Sequence, residues 1–334
     1  MRGRIFRGST AVSRGLLTRN DLRSSAWRPL FRDVYADAQL TITHRTRCLA
    51  VHRWLTPPGT AVAGRSAAAL YGVGRVPADQ PIEVLVPTRP TPDADAAVAP
   101  SGRRRDAAVR PLGRSDAARP DPRKGSMTGL RVHHGEIEPG DVVDRAGILV
   151  TSPARTCWDL ARWLDVVEAV VVIDGLLARR LTDVAALREY ALARAGRRGW
   201  RSLLRAVDLA DPGAESPPES RARVRLVMAG LPRPCTQFVV AEAGRFVARL
   251  DLAWPEFKVA VEYDGLWHDD PDQFHRDRRR LNRLLGEEWI VLHLTARRFR
   301  EDFEGFVREV RAALRARGHR ARWTPPHDRA ATWK

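Results

Sequence analysis

Lysine is almost missing from this 334-residue chain: it stands only at Lys124, Lys258 and Lys334, although Lys and Arg together number 57 against 40 Asp and Glu. The basic charge is therefore arginine charge. Two readings of it stay open. The codon bias of a GC-rich genome trades Lys for Arg, and the abundant Ala points the same way. Contact with a polyanion, nucleic acid first among them, accounts better for a net charge of +17 and a pI near 11.1. Cysteine is as sparse. Cys48, Cys157 and Cys235 are odd in number, far apart and without C-x-x-C spacing, which excludes a disulfide framework and argues against a zinc site.

Long apolar runs are also lacking. The best, "VVEAVVVIDGLLA", is broken by Glu168 and Asp174 and falls short of the roughly 18 apolar residues of a membrane span. The opening "MRGRIFRGSTAVSRGLL" has no continuous apolar core of about 7–15 residues such as a secretory leader carries. A reduced, cytoplasmic protein with no membrane partner is the expectation. What is present is ample for packing: 44% hydrophobic residues, with 10 Trp and 9 Phe. At roughly 100–200 residues per domain the length implies two or three domains, and the alternation of strand-like and helix-like runs makes the chain a multi-domain α/β protein.

Residues 1–55 read as two short helices and a small β-wing. In "LLTRNDLRSS" Thr18 stands three residues ahead of Asp21, a helix-start spacing. "WRPLFRDVYA" alternates well enough for a hairpin, with Pro29 tolerable at an edge or in the turn. Residues 1–54 hold 11 Arg against 3 Asp, so Arg28 and Arg32 on the wing are candidate nucleic-acid contacts. The alternative is a small helical lobe whose arginines only solvate its surface. Residues 56–210 form a middle section, with a helix in "TAVAGRSAAALYGV", a strand in "PIEVLVP", a strand and Pro-led helix in "GILVTSPARTCWDLARW", and an amphipathic helix in "RLTDVAALREYALARA". Between them, about 88–129 is a basic loop with few large apolar residues. Thr156 and Asp159 are explained by capping and packing, so the middle section receives no catalytic residue.

The segment 215–320, ahead of a tail at 321–334, carries the chemistry. Ser216, Pro217, Pro218 and Glu219 form an S-x-x-E box announcing a helix that ends at Gly230. "CTQFVVAEAGRFVARLDLAWPEFKVAVEYDG" supplies up to three strands in a meander. A four-residue loop on Pro255 pairs Trp254 with Val259 and sets Asp251 opposite Glu262; a two-residue loop leaves them diagonal. Glu262 and Asp264 share a face by alternation. Acids opposite one another in a sheet repel by up to about 1 kcal/mol, so a cation is expected among Asp251, Glu262 and Asp264. A hard divalent ion, Mg²⁺ or Mn²⁺, takes such oxygen ligands. A basic helix, "FHRDRRRLNRLLG", places Arg276, Arg280 and Arg283 on one face for a phosphate backbone.

These motifs also carry resemblances. "RLDLAWPEFKVAVEYDGLWH" with "RDRRRLNRLLGEEWIVLHLT" resembles a domain family related to very-short-patch-repair (Vsr) endonucleases, within the PD-(D/E)XK superfamily. The resemblance implies a restriction-endonuclease-like α/β domain in which Asp251 and Glu262 are the metal-ligating acids and Glu219 a supporting one. Asp264 stands where the motif has lysine, and the Vsr enzymes also lack that lysine and use histidines. His268 is thus the expected residue to orient or deprotonate water. "LLTRNDL", "LFRDVYAD" and "AVAGRSAAALYGV" resemble the N-terminal winged helix-turn-helix part of AbiEi-type antitoxins, which implies DNA and a partner protein of a phage-defence or toxin–antitoxin system.

The expectation is a DNA-acting protein with a metal-dependent endonuclease domain. Its rival is a DNA-binding regulator or antitoxin whose nuclease-like domain is silent. Plainer roles stay open at single positions: Glu219 as a capping acid, Asp264 with Gly265 as a turn, His268 as a surface histidine.

Overall fold

The computed structural model describes residues 3–88, 128–242, 245–264 and 288–320. The basic loop and the tail fall almost wholly outside them, as do His268, Arg276, Arg280 and Arg283 with their expected helix. The chain divides into two compact units, Met1–Leu160 and Ala161–Lys334. The architecture is mixed α/β, with three sheets among the described residues.

In the first unit, β1 (Ile5–Arg7), α1 (Gly8–Ser13), β2 (Trp27–Phe31) and β3 (Val34–Asp37) build an antiparallel sheet of order β1-β3-β2. Pro29 is tolerated because β2 is an edge strand. The hairpin turns through Arg32 and Asp33, whose φ is 62°. The Asp33 carboxylate accepts from Ser9 N (2.7 Å), Ser9 Oγ (2.6 Å) and Arg7 Nε (2.9 Å), tying the start of α1 to the turn. The second expected helix is a single 3-10 turn, Asp21–Arg23. Thr18 and Asp21 do make the reciprocal bonds of the motif, but one turn is too short to propagate before β2 begins.

The unit continues with α2 (His44–Ala50), β4 (Ala61–Val62), α3 (Gly64–Leu70), β5 (Ile82–Pro87), β6 (Leu130–Gly135), β7 (Val142–Asp144), β8 (Leu149–Thr151) and α4 (Pro153–Trp163), the last crossing the division between units. The strands form a mixed sheet of order β6-β5-β4-β8-β7. All six residues of β5 are buried, Glu83 among them with its carboxylate accepting from Arg65 N, as for a strand covered on both faces. At the start of α4, buried Arg155 donates to Asp141 Oδ2 (2.6 Å), Asp159 Oδ1 (3.0 Å) and the Glu136 carbonyl (2.7 Å).

In the second unit α5 (Val166–Ala178), α6 (Val184–Leu192), α7 (Trp200–Leu209) and α8 (Pro217–Met228) precede β9 (Cys235–Glu242), β10 (Arg245–Trp254), β11 (Val259–Asp264), β12 (Ile290–Thr295), α9 (Ala296–Glu301) and α10 (Phe303–Ala316). The sheet runs β12-β11-β10-β9; its first pair is parallel and the others antiparallel. Leu252, Trp254, Val259, Val261 and Leu294 pack with Ala222 and Leu226 of α8 and with Phe306, Val310 and Leu314 of α10. Ala260, Leu250, Ala248 and Trp289 join a second apolar cluster. The run "VVEAVVVIDGLLA" is α5, and among the described residues no helix is long and apolar enough to cross a membrane.

Candidate functional site

Glu219 is placed by the first turn of α8. Ser216 caps the helix, its Oγ accepting from Glu219 N (3.4 Å) and donating to Glu219 Oε1 (2.6 Å), while Glu219 Oε2 accepts from Glu215 N (3.1 Å). Ser216 is thus the N-cap that the S-x-x-E spacing announces, while the Glu219 carboxylate reaches back past the cap to Glu215 N rather than to Ser216 N. The helix behind it is anchored to α5. Asp174 accepts from Ser220 Oγ, Arg223 Nη2 and Asp211 N, each at 2.7 Å. Burial raises the Asp174 carboxyl above its ordinary range against the pull of Arg223. Arg221 adds a fork onto Glu168 at 2.5 and 3.0 Å. Glu219 is consequently nearly buried on a helix that has little freedom to shift.

The hairpin β10–β11 places the next two acids. Residues 255–258 form its loop, Lys258 taking a left-handed φ of 49°, and Trp254 pairs with Val259. The ladder is followed to Leu252↔Val261, and the residues one step beyond it are Asp251 and Glu262, the pairing expected of the four-residue loop. Asp251 Oδ2 accepts from Tyr263 N (2.9 Å), so one oxygen of this acid is spent on the neighbouring strand's backbone.

The side chain that joins Asp251 to Glu219 is Gln237 of β9. It lies between the pairs Leu252↔Thr236 and Leu250↔Phe238, abreast of Asp251. Its Nε2 donates to Glu219 Oε2 (2.9 Å) and lies 3.4 Å from Asp251 Oδ1. Its φ is 50°, a left-handed conformation that costs a side-chain-bearing residue about 1–2 kcal/mol.

On β11, Val259 and Val261 pack toward α10, so alternation turns Glu262 and Asp264 to the other face. The parallel strand β12 brings His293 abreast of Glu262. The His293 Nδ1 lies 3.1 Å from Asp264 Oδ2. Asp264 is therefore the last residue of β11 and engaged by a histidine; Gly265, the other half of the expected Asp-Gly turn, lies outside the described residues.

Oxygen donors of this kind suit a hard divalent cation in chemistry. Glu219 and Asp251 converge on one neutral amide, and neither has a cationic side chain as a described hydrogen-bond partner. Among the described residues no three His, Cys, Asp or Glu side chains form a ready cage. Mg²⁺ commonly makes do with one or two carboxylates plus water and substrate phosphate, so Asp251 and Glu262 fit that more open kind of site.

The remaining predicted residues stand elsewhere. Arg28 is exposed on β2 and donates through Nη2 to the Ala38 (2.8 Å) and Leu40 (3.2 Å) carbonyls, bracing the hairpin. Arg32 is exposed at the hairpin turn. Gln237 and His293 were missed by the sequence reasoning. Gln237 is one polar residue in the strand "CTQFVV", and His293 is a lone histidine in "IVLHLT"; neither has a local pattern that marks it.

Two relatives from Mycobacterium tuberculosis are similar to this chain: "Uncharacterized protein MT2308" of strain CDC 1551 and "Uncharacterized protein Rv2248" of strain H37Rv. Each is 31% identical over 175 residues, or 52% of this chain. The chain spans 64% of the length of these relatives. No family model and no solved structure matches it.

Proposed function

We propose that this is a DNA-acting protein whose segment 215–320 hydrolyses phosphodiester bonds with Mg²⁺ or Mn²⁺. The observation that carries the reading is the meeting of Glu219 and Asp251, from a helix and a strand, on the uncharged Gln237 amide, with Asp251 and Glu262 each one residue beyond the last ladder pair, Leu252↔Val261. The order helix, three antiparallel strands and a fourth strand parallel to the third supports a restriction-endonuclease-like domain.

Asp251 and Glu262 would hold the ion. Bound there, it would lower the pKa of a water ligand and offset charge developing on the scissile phosphate. The chain's own residues prepare that site. The Tyr263 N–H fixes Asp251, the Ser216 hydroxyl and Glu215 N fix Glu219, and the Asp264–His293 pair sets a polar flank beside Glu262. His268, outside the described residues, remains the sequence candidate for orienting the attacking water. Arg276, Arg280 and Arg283 remain candidates for the DNA backbone. In the first unit, a winged-helix reader would use Arg32, with Arg28 contributing the N–H groups its hairpin bonds leave over.

A second reading is favoured by one observation: Asp264 stands at the position of the motif lysine and is engaged by His293. A DNA-binding regulator or antitoxin with a silent nuclease-like domain would have no use for that lysine. The test is incubation of supercoiled plasmid and mismatched duplex with Mg²⁺ or Mn²⁺, comparing wild type, Asp251→Ala and Glu262→Ala. Cleavage by wild type alone is the expected result. Cleavage that persists in both variants, or none by wild type on any substrate, sinks the nuclease reading. DNA binding without cleavage that falls when Arg28 and Arg32 are replaced supports the regulator.

A further inference from the structure

We infer that Gln237 is a positioning residue of this site: its amide ties Glu219 of α8 to Asp251 of β10, keeping both carboxylates gathered before any cation arrives. The inference rests on the metal-dependent reading above. Two carboxylates brought together repel, and the repulsion grows as water is excluded. An amide nitrogen carries two N–H donors and no charge, so it can serve both acids at once without the permanent neutralisation that an arginine would impose. Gln237 does this from the strand position abreast of Asp251, reaching Glu219 Oε2 at 2.9 Å and Asp251 Oδ1 at 3.4 Å.

The backbone supports the assignment independently. The β9–β10 pairs on either side of Gln237 keep one register, yet Gln237 itself has a φ of 50°. A conformation unfavourable to a side-chain-bearing residue persists when its surroundings over-determine it. Here the two hydrogen bonds to acids from separate elements supply that determination. Glu219 and Asp251 are otherwise held by Glu215 N, Ser216 Oγ and Tyr263 N, each of which fixes one acid and none of which relates the two.

The experiment measures Mn²⁺ affinity by calorimetry and the thermal midpoint with and without Mn²⁺, on the full chain, for wild type, Gln237→Ala and Gln237→Glu. Gln237→Ala is expected to weaken Mn²⁺ binding roughly tenfold, the scale seen when a group orienting a ligand is lost. Combined with Glu219→Gln it should weaken binding no further than Gln237→Ala alone, because both changes break the same link from Glu219 through the amide to Asp251. Gln237→Glu keeps the shape but adds a third carboxylate; its midpoint should fall without metal and recover with saturating Mn²⁺, not with NaCl of equal ionic strength. Mn²⁺ affinity of Gln237→Ala within twofold of wild type overturns the inference, as does a metal-free midpoint of Gln237→Glu equal to wild type. Should wild type bind no Mn²⁺, the metal-dependent reading fails. The metal-free midpoint then decides alone: a fall in Gln237→Glu supports the bridge, and no fall overturns it.

Discussion

In the first unit Asp141 and Asp159 surround Arg155, while in the second Glu219 and Asp251 meet at Gln237. Both groups draw acids from separated parts of the chain. The first is sealed by its own cation: Arg155, Asp141 and Asp159 are 4%, 1% and 0% exposed. Asp174 with Arg223 repeats that solution within the second unit. At Glu219 and Asp251 the described donors are an amide, a hydroxyl and backbone N–H groups, which orient oxygen atoms but leave their charge in place. The difference teaches how to separate a structural cluster from a candidate site. Buried acids closed by arginine serve the fold, and acids held by neutral donors keep the capacity to take a cation.

The sharpest way to break this comparison is Arg155→Met. It removes the cation that two buried carboxylates share, and a loss of about 3–5 kcal/mol in urea unfolding is expected; a loss under about 1 kcal/mol would show that the cluster is not structural. A second test uses pH. Burial, and then the neighbouring Arg47, lower the pKa of His44 below its ordinary 6.5. The folded state thus binds fewer protons than the unfolded chain as pH falls below 6.5. The stabilisation His44 provides is present above that pH and is lost as pH falls toward its folded value, with a slope of at most about 1.4 kcal/mol per pH unit. His44→Asn should flatten this part of the stability profile, and an unchanged slope would assign it to other groups.

Smaller effects probe the second cluster. Ser216→Ala removes the α8 cap and one bond to Glu219, so about 1 kcal/mol of unfolding free energy should go. If the metal reading holds, Mn²⁺ affinity falls with it. Smallest in stability is Asp251→Asn, expected to stay within about 1 kcal/mol of wild type because its partners are neutral, while any Mg²⁺-dependent cleavage disappears. A stability loss as large as that of Arg155→Met would place Asp251 among the structural acids and end the contrast.

Much of the second unit could be read in advance. The turn built on Pro255 left two registers open, and the structure takes the four-residue loop that pairs Trp254 with Val259. The S-x-x-E box marked the start of α8: Ser216 caps the helix, and Glu219 in its first turn bonds that hydroxyl and the Gln237 amide. In the first unit the hairpin on Arg32 and Asp33 was legible from alternation, but β1 was not, because "IFR" is too short to show a period. The expected helix around Asp21 shrank to one 3-10 turn for the same reason of length.

By itself the sequence determined the elements whose causes are local: the alternating strands, the capped start of α8, the hairpin turn at Pro255 and the face shared by Glu262 and Asp264. Only the tertiary structure decided which acids share a donor. Gln237 lies 18 residues from Glu219 and 14 from Asp251, and His293 lies 29 from Asp264. Such meetings depend on β9 closing on β10, on α8 being pinned to α5, and on β12 returning parallel to β11. Each joins elements far apart in the chain, through strand ladders, apolar packing or ion pairs, so no local pattern announces it.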